Sequence, residues 1–524
     1  MKIGIFMGYG PQVILNKEGL GRYIGSLIKG FVSSEHEVII ACHLWQKDSI
    51  NELLEELQIP KEKIELCMND TNPPVWNFYK KVFLRKPKRN KIFDYLLNIL
   101  NIFMGRYIDD LLKINNNLTF YVYLLFGGII VLFLFPLGVC FGILAFLFYC
   151  VYRLLFFCGL KKSKLKLAVR KIISKIHLRL DYPTENLWID GFDILMHNSL
   201  VNLVKTLNKR CNVDVWFIPS LFWPEAQGLK GFKVFCAPDL VSREYALGFR
   251  NVLNSEHSIY NCVNTLRNGE YFITYCEYLK NSLLIEQYSK NMNKVIAIPH
   301  ANNDMAPYIY FDDEALKMKC NASKDFAKEF AHSISELGDI KYIFFASQVR
   351  PYKNILGLIK AYEFLLKRQK ISLKLVLTGL NSQNAKEREY IKKHNLENEI
   401  ISCYNVSAKK LAALYKCATL VVNPTLYEGG FPFTFGEGMS VGTPSIMSDI
   451  PQVRDVLEPE GLEEIMFDPF DWMAIAKKIE WALLDIDGLY KKELPLYEKM
   501  AKRTYSVVAN EYVETFKAFA WKEN

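Results

Sequence analysis

Between Thr419 and Pro444 the chain reads as one local program. An apolar stretch, Thr419-Leu420-Val421-Val422-Asn423-Pro424, leads into Tyr427-Glu428-Gly429-Gly430-Phe431-Pro432-Phe433-Thr434-Phe435, and then into a run of small residues, Gly436-Glu437-Gly438-Met439-Ser440-Val441-Gly442-Thr443-Pro444. The order predicts a buried strand, a glycine loop and a helix start, the repeating unit of a parallel α/β sheet. It also predicts chemistry. Backbone N–H groups before a helix favour an anion. A carboxylate only accepts hydrogen bonds, so Glu428 and Glu437 suit vicinal hydroxyls. Phosphates plus sugar hydroxyls describe a nucleotide sugar, with Gly429, Gly430, Phe431, Pro432 and Phe433 forming the loop that would line it. The bland alternative is a turn whose glutamates merely cap the helix.

A second feature constrains the chain as strongly. No charged residue occurs from Ile114 to Tyr152, far beyond the about 20 apolar residues that a membrane span needs. Pro136-Leu137-Gly138 supplies a turn, so the run predicts a helical hairpin, Leu118 to Phe135 and Val139 to Phe157. Lysines and arginines crowd both flanks (Lys80 to Lys91, and Lys161 to Lys175), which puts both ends on the cytoplasmic face. Leu165, Val169, Ile172, Ile173 and Ile176 have the spacing of a basic amphipathic helix over Lys161 to Leu180, lying on anionic lipid. A re-entrant hairpin in one leaflet and a buried soluble hairpin are the alternatives.

The 524 residues, half of them hydrophobic, suffice for two domains plus an insertion. A net charge of +9 points to an anionic partner: nucleotide, phosphate or lipid surface. No nucleic-acid motif occurs, so nucleic acid is not expected. The twelve cysteines are scattered without a Cys-x-x-Cys pair. That argues against a zinc site or a disulfide framework and for a reducing compartment. Met1 to Phe6 runs straight into a glycine loop and does not read as a signal peptide.

Around the apolar run, strands alternate with helices. Lys2 to Phe6 is a strand, followed by Gly8-Tyr9-Gly10 and by Glu18-Gly19-Leu20-Gly21-Arg22-Tyr23, which leads into a helix over Tyr23 to Phe31; Val38 to Cys42 is the next strand. After the run, strands are expected at Asp193 to His197, Val213 to Pro219, Lys233 to Leu240, Tyr271 to Tyr278 and Lys294 to His300. Asp239 and His197 would then stand at strand ends facing a cleft. A turn or N-cap aspartate and a satisfied structural histidine are their plain alternatives. In the second half, Tyr342 to Ser347 is a strand, then Gln348-Val349-Arg350-Pro351-Tyr352-Lys353-Asn354, a helix from Ile355 to Leu366, and a strand from Lys374 to Gly379. Ser407 to Tyr415 reads as a helix with Leu411, Leu414 and Tyr415 in the core. Tyr497 to Phe519 has helical periodicity. Asp485-Ile486-Asp487 is the only Asp-x-Asp triplet and falls in a late helical or linker stretch.

These motifs resemble those of the retaining family 4 glycosyltransferases of the GT-B fold, over everything except the apolar run and its flanks. The two glutamates resemble that family's donor-site signature, although eight residues separate them here, one more than is usual. Lys353 matches the family lysine that holds the donor diphosphate. The family arginine stands where this chain has Gln348, so Arg350 is the nearer substitute. Gly19 and Gly21 resemble the first-domain loop where donor phosphate and acceptor meet. Pro238-Asp239-Leu240 resembles a His-Asp-Leu strand end with proline in the histidine's place. Pro299-His300-Ala301-Asn302-Asn303-Asp304 is a degenerate interdomain hinge.

The resemblance implies an α/β protein of two Rossmann-like domains facing a cleft, with the hydrophobic hairpin inserted in the first. Residues 1–75 and 186–300 would form the acceptor domain, 76–185 the membrane-associated insertion, and 301–490 the nucleotide-sugar domain. The stretch 491–524 would cross back to the first domain. It implies a transferase that moves a sugar from a UDP- or GDP-linked donor to a membrane-associated, lipid-linked or glycan acceptor, with both globular domains on the cytoplasmic face. Glu428 would lie by the transferred sugar and Glu437 by the ribose. Lys353 and Arg350 would stabilise the departing diphosphate, and no metal or cofactor is expected. An inverting enzyme using His197 or Asp239 as base, and a non-catalytic nucleotide-sugar-binding subunit, are the alternatives.

Overall fold

The computed structural model describes residues 1–17, 19–77, 114, 116, 118–125, 184–239, 241–244, 255–309, 341–348, 350–380, 385–403 and 406–521. Two parallel sheets organise them. The first comprises β1 (Lys2–Met7), β2 (Glu37–Cys42), β3 (Ile64–Met68), β4 (Val215–Ile218), β5 (Lys233–Ala237), β6 (Tyr271–Thr274) and β7 (Val295–Ala297), in the spatial order β3-β2-β1-β4-β5-β6-β7. The second comprises β8 (Tyr342–Phe345), β9 (Lys374–Thr378), β10 (Ile400–Cys403), β11 (Leu420–Asn423), β12 (Ser445–Ser448) and β13 (Met466–Phe467), in the order β10-β9-β8-β11-β12-β13. The strands are short apolar runs because helices cover both faces, as parallel sheets require.

Strand order reverses between β1 and β4 in the first sheet and between β8 and β11 in the second. Chains that leave neighbouring strands in opposite directions open a crevice at the carboxyl ends, the usual ligand position in such folds. The loops after β8 and β11 carry Lys353 and Glu428. The crevice therefore explains why residues so distant in sequence meet.

The helices used below are α1 (Gly19–Ser33), α2 (Lys47–Glu56), α3 (Thr184–Arg210), α4 (Ser255–Asn268), α5 (Ile355–Arg368), α6 (Ala385–Lys393), α7 (Ala408–Cys417), α8 (Phe433–Met439), α9 (Pro451–Leu457), α10 (Trp472–Leu484), α11 (Ile486–Ala501) and α12 (Tyr505–Trp521). The helical periodicity over Tyr497 to Phe519 divides between α11 and α12. On α12, Val508, Ala509, Tyr512, Val513, Phe516 and Phe519 are buried at helical spacing. They close the core of the first sheet beside Tyr23, Leu27 and Phe31 of α1. Phe217 of β4 meets Tyr512 and Phe516 with ring centroids 5.3 and 5.8 Å apart. Each such side chain adds about 1.5–3 kcal/mol of burial. Where α11 gives way to α12, Arg503 donates to the carbonyl of Pro299 at 2.9 Å and accepts from the backbone of Asn302 at 3.1 Å. The two passages of the chain between the sheets are thus bonded to each other.

One expected strand is a helix. Asp193 to His197 lies inside α3, where Leu195, Ser199, Leu200, Leu203, Val204 and Leu207 are buried three, four and five residues apart. Three apolar residues in a row, Ile194 to Met196, fit either period, and only the longer window separates them. Asp485 caps α11, its carboxylate accepting from Gly488 N at 2.8 Å, which gives the Asp-x-Asp triplet a structural role. Of the expected hydrophobic hairpin, only 118–125 is described. It is helical, with Phe120 buried and Leu118, Tyr121, Val122 and Leu125 exposed. Among the described residues no helix is long and apolar enough to cross a membrane. The remainder of the hairpin and the basic helix expected over Lys161 to Leu180 lie outside the described residues.

Candidate active site

The turn after β8 is built by local rules. Pro351 opens a single tight turn, Lys353 N bonds Arg350 O at 2.9 Å, and Asn354 takes the left-handed conformation at the entry to α5 (φ 52°), which asparagine tolerates. The loop after β11 docks on this turn. Leu426 N and Thr425 Oγ1 donate to Tyr352 O at 2.7 and 3.2 Å, and Asn423 Nδ2 donates to Thr434 Oγ1 at 2.9 Å. The result is a direct pair: Lys353 Nζ lies 2.5 Å from Glu428 Oε1, with the two side chains 18% and 16% exposed. The ammonium also stands 5.3 Å from the ring centroid of Tyr352.

The first domain faces this pair closely. A Cβ added at Gly429 would lie 2.2 Å from Pro238 O and 3.2 Å from Asp239 Cβ, so only glycine fits there. Cys276 Sγ reaches Gly429 O at 3.9 Å, and Tyr278 N donates to Asp455 Oδ2 of α9 at 2.9 Å. Asp239 is half-buried at the end of β5. Burial pushes its carboxyl above the usual range. Val241 N, Arg350 and Lys353 pull it down, and Glu428 pushes it up. Asp239, Glu428, Lys353 and Arg350 therefore share one electrostatic environment across the cleft. Arg350 itself is exposed and donates to Gln348 Oε1 at 3.0 Å.

The rest of the loop divides its aromatic residues between the domains. Phe431 packs into the second core, 5.4 Å from Phe435. Pro432 precedes α8, and Phe433 turns to the first domain, 4.8 Å from the ring of His300. The helix starts at Phe433 rather than at Gly436 and has only seven residues. Its dipole is therefore a smaller contribution to anion binding than the sequence suggests. Gly430 is buried against Tyr275 Cβ and the edge of His300. Glu437 lies on α8 and is buried, with both oxygens engaged: Oε2 accepts from Tyr415 OH at 2.5 Å and Oε1 from Asn303 Nδ2. Burial pushes its carboxyl up, while Tyr415, Asn303 and Arg22 pull it down. Any further donor would share this carboxylate with two protein donors, using its remaining lone pairs.

Gly19 and Gly21 fall in the first turn of α1. Gly21 is required, since a Cβ would meet Leu15 O at 2.3 Å, whereas Gly19 has open space around it. His197 lies on α3, not at a strand end. Its Nδ1 is 2.6 Å from Oε1 of Glu225, a well-covered carboxylate. No contact among the described residues joins His197 to the Lys353–Glu428 pair. Sequence reasoning assigned no role here to Tyr275, His300, Asn303 or Tyr352, and it counted Tyr415 as plain core. Asn303 and His300 stood in the quoted hinge stretch, but Glu437, the partner of Asn303, and Tyr23 and Phe433, two of the rings around His300, are more than a hundred residues away. Among the described residues, no three His, Cys, Asp or Glu side chains are grouped to hold a metal ion.

Residues 327–507 match the family described as glycosyl transferases group 1. Over 146 residues the chain is 30% identical to O-antigen chain mannosyltransferase B of Escherichia coli, covering 28% of this chain and 37% of that protein. Over 192 residues it is 27% identical to an uncharacterized glycosyltransferase of Methanocaldococcus jannaschii, covering 36% and 47%. The chain thus spans less than half the length of these curated relatives. Anabaena HepE, solved in complex with UDP and glucose, superposes with a TM-score of 0.55 at 12% identity, over 99% of this chain and 100% of HepE. That likeness shows the fold, two parallel α/β sheets arranged as in GT-B glycosyltransferases. The family match thus covers residues 327–507 of the chain, and both curated relatives it resembles over part of their length carry glycosyltransferase names.

Proposed function

We propose that the chain is a retaining glycosyltransferase that moves a sugar from a nucleotide-sugar donor to a membrane-associated acceptor in glycan or polysaccharide synthesis. The observation that carries this reading is the Lys353–Glu428 pair at the reversal point of the second sheet, faced by Asp239. An ammonium and a carboxylate held side by side suit a ligand with charge at one end and hydroxyls at the other. Lys353, with Arg350, would stabilise the diphosphate as the C1–oxygen bond breaks. Glu428 would accept hydrogen bonds from the transferred sugar, and Glu437 from the ribose. The acceptor oxygen would bond to C1 on the face the diphosphate leaves, and its proton would pass to the leaving phosphate oxygen. The likeness to HepE, whose structure holds UDP and glucose, favours a nucleotide-linked donor. The reading takes its positive charge from Lys353 and Arg350 and calls for no metal or cofactor. Loss of all activity on chelation would overturn that part.

The membrane assignment rests on the charge-free run from Ile114 to Tyr152 and its basic flanks. Both globular domains would sit on the cytoplasmic face. Deletion of 114–152 behind a flexible linker should release the chain from membranes and slow transfer to a lipid acceptor, because confinement raises effective concentration.

The His197–Glu225 pair favours one second reading, since a covered carboxylate orients the imidazole as it would orient a general base. That reading is an inverting enzyme. The deciding experiment incubates the purified full chain with a panel of UDP- and GDP-sugars and membrane extract. The anomeric configuration of the product is then read by NMR. Retention supports the proposal, inversion supports an inverting enzyme with His197 or Asp239 as base, and binding without turnover would make the chain a non-catalytic subunit.

A further inference from the structure

His300 leaves the end of β7 and enters an aromatic cage drawn from both domains. Its ring centroid lies 4.7 Å from that of Tyr23, 3.9 Å from Tyr275 and 4.8 Å from Phe433, the last tilted by 33°. The two nitrogens differ. Nδ1 is buried and has no partner among the described residues. Nε2 and Cδ2 form the edge that faces the glycine loop, where a Cβ on Gly430 would stand 3.5 Å from each atom. Burial, and to a lesser degree the cation of Arg503, pushes the pKa of His300 down to about 3, so the ring is neutral at ordinary pH.

A neutral imidazole has one N–H and one bare nitrogen. A buried orphan N–H is rarer and dearer than an under-used acceptor. The proton therefore belongs on Nε2, the nitrogen beside Gly430. This leaves an N–H donor, held rigid by three rings, at the loop that begins with Glu428. Lys353 and Arg350 already answer the charged part of the ligand. A donor kept neutral suits an uncharged oxygen.

The geometry points to His300 as a ligand-binding residue of the donor site, with Nε2–H donating a hydrogen bond to a hydroxyl of the transferred sugar. This assignment rests on the reading of the cleft as a nucleotide-sugar site. It adds a specificity-determining contact from the first domain, opposite Glu428, and makes the sugar part of what holds the two domains together.

The test compares wild type with His300→Phe, which keeps a neutral ring in the cage but removes the donor, and His300→Gln, which restores an N–H donor. Calorimetry measures binding of the UDP- or GDP-sugar that the wild type takes from the panel, and of the matching free nucleoside diphosphate. His300→Phe should bind the nucleotide sugar about 3- to 10-fold more weakly, the loss expected for one hydrogen bond. Its affinity for the nucleoside diphosphate and its thermal midpoint should stay at wild-type values, and His300→Gln should recover part of the loss. Equal weakening toward both ligands would overturn the assignment, as would unchanged binding of the nucleotide sugar. Should the wild type bind no member of the panel, the nucleotide-sugar reading fails first and this one with it.

Discussion

Replacing Lys353 by Met removes the ammonium 2.5 Å from Glu428 Oε1 while keeping a side chain of similar length. Because both side chains are mostly covered, water screens the pair poorly. The carboxylate left behind also faces Asp239, whose charge burial already disfavours. Contacting residues couple by about 0.5–3 kcal/mol, and the degree of cover argues for about 2 kcal/mol here. Urea unfolding in mild detergent of wild type, Lys353→Met, Glu428→Gln and the double variant measures that coupling. Each single change strands one charge, but the glutamine of Glu428→Gln can still accept a hydrogen bond from the ammonium, which also faces Asp239 and Tyr352, whereas methionine offers the carboxylate no donor, so Lys353→Met should be the more destabilising. The double variant should be more stable than the sum of the singles predicts. In turnover, Lys353→Met should lose about 2–4 kcal/mol of transition-state stabilisation, roughly 30- to 1,000-fold in rate. Glu428→Gln should abolish transfer. Additivity within about 0.5 kcal/mol would refute the pairing. Full activity in Lys353→Met, with the loss falling on Arg350→Ala instead, would move the phosphate grip to Arg350.

Gly429→Ala puts a methyl group 2.2 Å from Pro238 O; the strain of about 1–3 kcal/mol should appear as weaker donor binding in calorimetry, and unchanged binding would mean the two domains stand apart when donor binds. Tyr415→Phe removes the 2.5 Å hydrogen bond to buried Glu437 and should cost about 1.5–3 kcal/mol in urea unfolding; wild-type stability would mean the bond contributes nothing. His43 and His300 are held neutral by burial, with pKa values pushed from 6.5 to about 4 and about 3. The unfolded chain therefore takes up protons below pH 6.5 that the folded chain refuses, so stability present above that pH is lost as pH falls toward 4. Each histidine contributes up to about 1.4 kcal/mol per pH unit in that window, and a flat profile between pH 6.5 and 5, before most carboxylates titrate, would contradict their burial.

Most of the second domain was legible because its signals are local. The strand before Glu428, the proline turn at Pro351 and the helix beginning at Ile355 each follow from a few adjacent residues. Their meeting was legible only through the resemblance, since 75 positions separate Lys353 from Glu428. What escaped were side chains whose role is set by a distant partner. Tyr415 reads as core by helical spacing, and it is buried, yet its hydroxyl serves Glu437. Asn303 crosses from the hinge to the same carboxylate. His197 was misplaced because Ile194, Leu195 and Met196 are apolar in a row, a pattern shared by buried strands and buried helices. The helix declares itself only through Leu200, Leu203, Val204 and Leu207 further on. At α8 the run of small residues from Gly436 suggested the helix start, whereas the helix begins at Phe433, just after Pro432, which is free to precede a helix but not to continue the preceding turn's bonds.

Ribosomes make α12 after the entire second domain, yet Tyr512, Phe516 and Phe519 complete the core around β1, β4 and α1. At about 5–20 residues per second, synthesis leaves α1 without its cover for roughly half a minute or more. Through that interval the groove that will receive α12 is an open apolar surface, on a chain that also carries a long charge-free run. The domain that begins first is therefore finished second. A chaperone, or the membrane itself, has its longest opportunity to act on this protein while the second domain is still being made.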